Sequence, residues 1–138
     1  MVNLIIGKKG TGKTKRLVDM VNAALQTSNG NVVCIEKGAI LTYDINYNAR
    51  LVDVENYNIE GYGMLYGLVC GICAGNYDVT DIFIDATVRI GGTDFNELEA
   101  FVKKLDKIAA DNNVKFTLAV SADASELPET LLAAVNKL

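Results

Sequence analysis

The feature that most restricts the fold is a glycine-rich loop placed between an apolar segment and an amphipathic one. Residues 7–14 read Gly-Lys-Lys-Gly-Thr-Gly-Lys-Thr. The apolar, β-branched run 2–6 before the loop predicts a buried strand. After the loop, apolar residues recur at helical spacing as far as Leu25, which predicts a helix over 14–25. Strand, glycine loop and helix in this order are the context in which such a loop binds phosphate.

The residue types of the loop suit the binding of a polyphosphate. Three glycines let the backbone curl tightly without a Cβ in the way, and the curl turns successive N–H groups inward as a nest for phosphate oxygens. Lys13 can reach the β- and γ-phosphates as a point charge, which makes it the candidate catalytic residue. The hydroxyl of Thr14 can ligate the Mg²⁺ that accompanies a nucleotide. We expect nucleotide contacts along the whole segment, from Gly7, Lys8, Lys9, Gly10, Thr11, Gly12, Lys13, Thr14 and Lys15.

The charge of the chain favours a nucleotide over a nucleic acid as the ligand. The net charge is −4 and the pI is about 4.8, whereas general nucleic-acid binding needs many cations that face phosphates. Five of the 13 Lys and Arg residues nevertheless fall within 8–16. Such a local basic focus on an acidic body suits a compact polyanion.

The rest of the chain alternates strand and helix patterns. Its 138 residues suit one domain covering 1–138. Further strands are expected at 32–35, 50–54, 81–85 and 115–120, a weaker one at 39–43, and helices at 61–75, from Asp94 to about 110, and from Pro128 through Ala134. This order predicts an α/β three-layer sandwich with a mostly parallel sheet of about five strands.

Two further polar residues are expected beside the loop. Asp85 and Ser121 each follow a predicted strand, and ligands of parallel sheets bind beyond the carboxyl ends of the strands. Each residue also has a structural explanation: Asp85 can cap the next turn, and Ser121 can form a turn.

With residues 7–14 and the strand Ile82-Phe83-Ile84-Asp85, the chain resembles the P-loop NTPase superfamily. The loop corresponds to the Walker A motif and 82–85 to the Walker B motif, about 70 residues apart. That order covers most of the chain and resembles a small stand-alone domain of the additional-strand branch, which includes RecA-type and AAA-type ATPases. The resemblance implies ATP as ligand, Mg²⁺ held by Thr14 and by Asp85 as the second metal ligand, and, as one interpretation, a γ-phosphate contact from Ser121. Hydrolytic members often carry a glutamate after the Walker B aspartate, where this chain has Ala86.

These observations lead to one function and two alternatives. The first is an Mg-ATP-binding protein whose ATPase activity is weak or depends on a partner; the chain lacks the guanine-reading N-K-x-D pattern, which favours ATP over GTP. One alternative is a nucleoside or nucleotide kinase, because such kinases often lack the glutamate after the Walker B aspartate. The other is a non-catalytic module whose assembly is controlled by nucleotide.

The predicted helix 61–75 has a glycine every fourth residue. Gly63, Gly67, Gly71 and Gly75 fall on one face of the helix, although each glycine costs up to about 1 kcal/mol relative to alanine. We therefore expect a closely packed neighbour, either the sheet or another helix of the domain. A protein partner or a second copy of the chain is the alternative.

Several other residues have two interpretations at this stage. The six tyrosines all fall between 43 and 77, where packing is the preferred role and a platform for a base or a partner is the alternative. Arg89 is expected to face solvent, with a phosphate contact as the alternative. Cys34, Cys70 and Cys73 are expected to be free thiols. Because no signal peptide is visible and the apolar stretch 64–74 is too short to span a bilayer, we expect a cytoplasmic location without membrane insertion.

Overall fold

The computed structural model describes all 138 residues and has one six-stranded parallel sheet between two layers of helices. Along the sheet the strands are ordered β3-β2-β4-β5-β1-β6, and every neighbouring pair is parallel. The strands are β1 (Asn3–Gly7), β2 (Asn31–Glu36), β3 (Arg50–Asp53), β4 (Val79–Ile84), β5 (Lys115–Ser121) and β6 (Asn136–Lys137). The helices are α1 (Lys13–Thr27), α2 (Gly61–Gly75), α3 (Thr87–Gly91), α4 (Phe95–Asn112) and α5 (Glu129–Ala133). This confirms the predicted α/β three-layer fold.

Two apolar cores lie on the two faces of the sheet. The larger core joins the sheet to α2, α3, α4 and α5. The smaller core joins the other face to α1 and to residues 41–49. The alternation of strand and helix in the sequence produces these layers because each helix must bury its apolar stripe against the sheet.

The predicted strand at 39–43 is wrong. Residues 38–49 form turns, and Gly38 has a left-handed φ of 91°. The carboxylate of Glu36 accepts hydrogen bonds from the N–H groups of Ile40 and Leu41, both at 3.1 Å. These amides bind a side chain instead of a neighbouring strand, while Leu41 and Ile45 are buried against the core that contains α1.

Short elements depart from the sequence prediction at the ends of the sheet. The two-residue strand β6 and the five-residue helix α3 were not predicted. The side chain of Asp94 accepts from the N–H groups of Asn96 and Glu97, so α4 begins with the expected cap. Pro128 caps α5, which ends at Ala133.

None of the helices combines the length and the apolar composition needed to cross a membrane.

The glycines of α2 do not face a close neighbour within the domain, contrary to prediction. A Cβ added at Gly63, Gly67, Gly71 or Gly75 would meet no heavy atom within 4 Å. The opposite face of α2 supplies the buried residues, including Leu65 and Val69. The row of glycines therefore lies on the free surface of the helix.

Candidate functional site

The predicted site residues meet at the carboxyl-terminal edge of the sheet. Gly7, the last residue of β1, pairs in register with Ser121, the last residue of β5. Asp85 follows β4, and β5 lies between β4 and β1 in the sheet. The N–H of Asp85 donates to the carbonyl of Ile35 at 2.8 Å, which ties it to the end of β2. The ends of four adjacent strands thus surround one location.

The loop between β1 and α1 has glycine where its conformation requires glycine. Gly10 and Gly12 have φ values of 84° and 85°, in the left-handed region that side chains disfavour. A Cβ on Gly7 would lie 2.6 Å from the hydroxyl oxygen of Thr11, so a larger residue would have to displace this side chain from its bond with the Lys8 carbonyl. The backbone of the loop therefore requires glycine at 10 and 12.

The start of α1 leaves its backbone donors free. The first amide of the helix with a backbone acceptor is that of Arg16, which donates to the carbonyl of Gly12 at 3.1 Å. The amides of Gly12, Lys13, Thr14 and Lys15 donate to no backbone carbonyl. Free N–H groups at a helix N-terminus form a binding site for an anion, and the helix dipole adds partial positive charge there.

The side chain of Lys13 is folded over the loop. Its Nζ donates to the carbonyl of Lys8 at 2.8 Å, and the hydroxyl of Thr11 donates to the same carbonyl at 2.7 Å. Burial lowers the pKa of Lys13, while the charge of Asp85 opposes this change. The ammonium group is therefore held against the loop backbone by its bond to the Lys8 carbonyl.

Thr14 and Asp85 lie side by side. The hydroxyl of Thr14 donates to Oδ1 of Asp85 at 3.2 Å, and Asp85 itself is only 5% exposed. Burial raises the pKa of the Asp85 carboxyl; the bonds from Thr14 and the Ala86 N–H, and the charges of Arg89 and Lys13, act in the opposite direction. A hydroxyl and a carboxylate are hard oxygen ligands, and the pair fits Mg²⁺ if phosphate oxygens and water complete its shell.

Ala86 has an unusual backbone conformation. Its φ of 55° places it in the left-handed region, which is uncommon for a residue with a Cβ. It caps α3 and follows Asp85 directly. Strained residues of this kind persist where the surrounding structure fixes them, often beside functional groups.

A second buried carboxylate at this edge was not foreseen. Glu36 is the last residue of β2 and is 1% exposed. β2 lies directly next to β4, the strand that Asp85 follows. Burial raises the pKa of Glu36; the bonds from Ile40 and Leu41 oppose this rise, and the charges of Asp53 and Asp85 add to it. The sequence does contain a signal, because Val32–Glu36 is an apolar strand that ends in an acid, the same pattern that identified Asp85.

The remaining loop lysines extend away from the loop backbone. Nζ of Lys8 lies 4.0 Å from a carboxylate oxygen of Asp123, and Nζ of Lys15 lies 3.2 Å from one of Asp19. Lys9 is exposed. Any contribution of these three residues to binding through their side chains stays a prediction.

Arg89 and Ser121 are both exposed at the same edge as Asp85. The positive charge of Arg89 opposes the rise in the pKa of Asp85 that burial causes. Ser121 lies beside Gly7, between the loop and the strand that carries Asp85. Their placement agrees with a role near a bound phosphate, and the role itself stays a prediction.

The packing interpretation of the tyrosines is wrong for most of them. Tyr43, Tyr47 and Tyr77 are 98%, 91% and 99% exposed, and Tyr57 is 58% exposed. Tyr62 does pack in the core, with its ring centroid 5.3 Å from that of Phe101. Most of the tyrosines therefore contribute apolar area to the surface.

Comparisons with known proteins support the fold. No protein-family model matches the chain, and no curated protein matches it either. Among solved structures, the chain is similar to the flagellar accessory protein FlaH from Methanocaldococcus jannaschii, with a TM-score of 0.60 and 19% sequence identity. The match covers 96% of this chain and 65% of FlaH, so the chain spans just under two thirds of that protein. At this identity the likeness concerns the fold alone, a parallel sheet between two layers of helices.

Proposed function

We propose that the protein binds Mg-ATP at the carboxyl edge of its sheet. The observation that carries the proposal is the juxtaposition of the free amides of the loop with the Thr14–Asp85 pair, whose oxygens are 3.2 Å apart. Free amides at a helix N-terminus bind anions, and a hydroxyl–carboxylate pair binds a hard cation. A magnesium polyphosphate is the ligand that needs both.

Each residue has a defined part in binding. The amides of residues 12–15 would hold the phosphate oxygens, and Lys13 would exchange its bond with the Lys8 carbonyl for one with the β- and γ-phosphates. Thr14 and Asp85 would exchange their mutual bond for contacts with Mg²⁺, Asp85 acting directly or through water. Bound Mg²⁺ would neutralise charge on the phosphates.

Hydrolysis requires a further group that positions a water molecule, and Ala86 cannot do so. Glu36 is the carboxylate on the strand next to Asp85, and we assign it this role in turnover. One of its oxygens accepts from the amides of Ile40 and Leu41, so rearrangement of residues 37–41 would be needed to release it. We therefore expect ATP hydrolysis to be weak unless a partner induces this rearrangement.

Calorimetric titration of Mg-ATP tests the proposal. We expect wild-type protein to bind, and Lys13→Ala to bind at least about tenfold more weakly, equivalent to about 1.4 kcal/mol. Lys107→Ala is the matched control, because Lys107 is an exposed lysine on α4. It should bind like the wild type, and circular dichroism should show all three folded. Absence of heat at millimolar Mg-ATP, or equal binding by Lys13→Ala, would overturn the proposal.

A further inference from the structure

The sheet has a free edge at β3, away from the nucleotide site. β3 is the outermost strand on that side, and only β2 pairs with it. Its outer backbone groups have no strand partner. An edge of this kind can accept another extended segment through main-chain hydrogen bonds.

A groove of about 570 Å³ runs beside this edge, between β3 and α2. Its apolar lining includes Val52 from β3, Leu68 and Ile72 from α2, and Tyr57. Gly71 and Gly75 form part of its wall, and no heavy atom lies within 4 Å of the place where their Cβ atoms would be. The groove has the size of a ligand pocket and is widened by the absence of these two side chains.

The only charged residue that lines the groove is Arg50, the first residue of β3. Arg50 forms none of the four ion pairs of the chain, and its guanidinium makes no hydrogen bond within it. It also lines the adjoining groove on the other face of the sheet, together with Tyr47. Arg50 is exposed, so its guanidinium is free to form a charge-assisted hydrogen bond with an acidic group on the occupant.

The residue types around the edge are those of protein-binding surfaces. Tyr47 and Tyr57 are 91% and 58% exposed, and they lie on the two sides of Arg50. Tyrosine and arginine are enriched among residues that dominate binding energy. Isolated exposed apolar residues are common, whereas aromatic residues flanking a free strand edge and an apolar groove are a reason to infer binding.

We propose that the β3 edge binds an extended segment of a partner protein in which apolar residues alternate with an acidic one. The segment adds to the sheet as a strand beside β3. Alternate apolar side chains enter the groove between β3 and α2, and the acidic residue pairs with Arg50. The free backbone favours a peptide over a small molecule, and the unpaired cation selects the acidic residue.

A library of random peptides about twelve residues long, long enough to span β3 at about 3.3 Å per residue with flanking residues, tests this proposal. Peptides are selected on the wild type, and the enriched peptides are then compared on the wild type and on Gly71→Leu. Leucine at 71 fills the groove, and it should fold because the position is helical and open. Gly67→Leu is the matched control, because Gly67 belongs to the same helix but does not line the groove. Circular dichroism verifies that each variant is folded.

We expect enriched peptides to have alternating apolar residues and a recurrent Asp or Glu. Fluorescence polarisation should show equal affinity for the wild type and Gly67→Leu, and at least about tenfold weaker binding to Gly71→Leu and to Arg50→Glu, which is about 1.4 kcal/mol. Binding should be the same with and without Mg-ATP, so the result is independent of the nucleotide site.

Several results would overturn the proposal. These are the absence of enriched peptides, a basic or uncharged consensus, or binding that both substitutions leave intact. Light scattering gives a further outcome. A wild-type dimer that becomes monomeric in Gly71→Leu but not in Gly67→Leu would assign the groove to a second copy of the chain instead of a partner peptide.

Discussion

At the scale of single residues, the ionised carboxylate that metal binding requires at Asp85 lowers the stability of the folded chain. The carboxylate is buried, and burial raises its pKa above the usual value, so the folded chain binds a proton more readily than the unfolded chain. Between the two pKa values, stability therefore increases as the pH falls. At pH 7 the ionised group reduces stability unless a cation compensates for it.

We therefore expect Asp85→Asn to be more stable than the wild type at pH 7 without nucleotide. Asparagine keeps an oxygen that can accept from Thr14 and removes the buried charge. The difference in unfolding free energy, measured by urea denaturation, should shrink as the pH falls toward the range where Asp85 protonates. The same variant should lose most of the Mg²⁺ dependence of ATP binding. Lower stability of Asp85→Asn at pH 7 would contradict this account.

Glu36 has either a structural or a catalytic role, and Glu36→Gln separates the two. Glutamine retains an oxygen acceptor for the Ile40 and Leu41 amides but cannot act as a base. We expect unchanged Mg-ATP affinity and phosphate release at least about tenfold slower, or about 1.4 kcal/mol in activation free energy. Phosphate release at the wild-type rate would leave Glu36 as an anchor for residues 37–41 only.

At the scale of elements, the structure distinguishes two kinds of glycine that look alike in sequence. A Cβ at Gly67 would meet nothing, whereas a Cβ at Gly91 would collide with the ring of Tyr62. Tyr62 is buried against Phe101 and donates a hydrogen bond to the carbonyl of Gly92 at 2.8 Å, so it cannot easily move. The close approach that the spacing suggested for α2 occurs instead at α3.

Alanine substitutions should therefore have opposite effects at these two positions. Gly67→Ala should stabilise the protein by roughly 0.5–1 kcal/mol, because alanine favours helix and nothing is displaced. Gly91→Ala should destabilise it by about 1–3 kcal/mol, since the core must repack around Tyr62. Urea denaturation measures both, and destabilisation by Gly67→Ala would indicate a neighbour on the free face of α2.

Helices and strands long enough to show their apolar periodicity could be predicted from sequence, and the shorter ones could not. The helices α1, α2 and α4 and the strands β1 to β5 are long enough for their apolar periodicity to appear. β6 has two residues and α3 has five, too few for a pattern. Residues 39–43 look like a strand locally, but the amides of Ile40 and Leu41 donate to the carboxylate of Glu36, a contact that no local pattern reveals.

At the scale of the whole molecule, topology determines which residues form the site. Lys13, Thr14 and Asp85 could be identified from sequence because a loop pattern and a strand ending in an acid mark them. Glu36 also ends an apolar strand, but its place beside Asp85 depends on β2 lying next to β4, and strand order does not follow from periodicity. Exposure of the tyrosines likewise depends on the path of residues 38–49 and on the position of β3 at the edge.

The arrangement of the sheet also predicts which segments should gain protection from amide hydrogen exchange when nucleotide binds. The loop, Asp85 and the turn held by Glu36 share one edge and are joined by the Thr14–Asp85 and Asp85–Ile35 bonds. Residues 28–31 and 76–79 lie at the opposite ends of β2 and β4. Mg-ATP should therefore slow amide hydrogen exchange most strongly in 8–16, 36–41 and 85–89.

Ligand binding also stabilises the folded state globally, by about 2.7 kcal/mol at a ligand concentration 100 times the Kd. Amides that exchange only through global unfolding should thus all slow by the same factor. The local effect is any further slowing beyond that factor, which we expect at the carboxyl edge of the sheet and not at 28–31 and 76–79. Lys13→Ala at the same Mg-ATP concentration is the control: if its Kd is tenfold higher, its global stabilisation should fall to about 1.4 kcal/mol, and weaker binding should reduce it further. Extra protection centred on the amino-terminal edge in the wild type would place the nucleotide elsewhere, because the bonds that connect the loop to Asp85 and Ile35 all lie on the carboxyl side of the sheet.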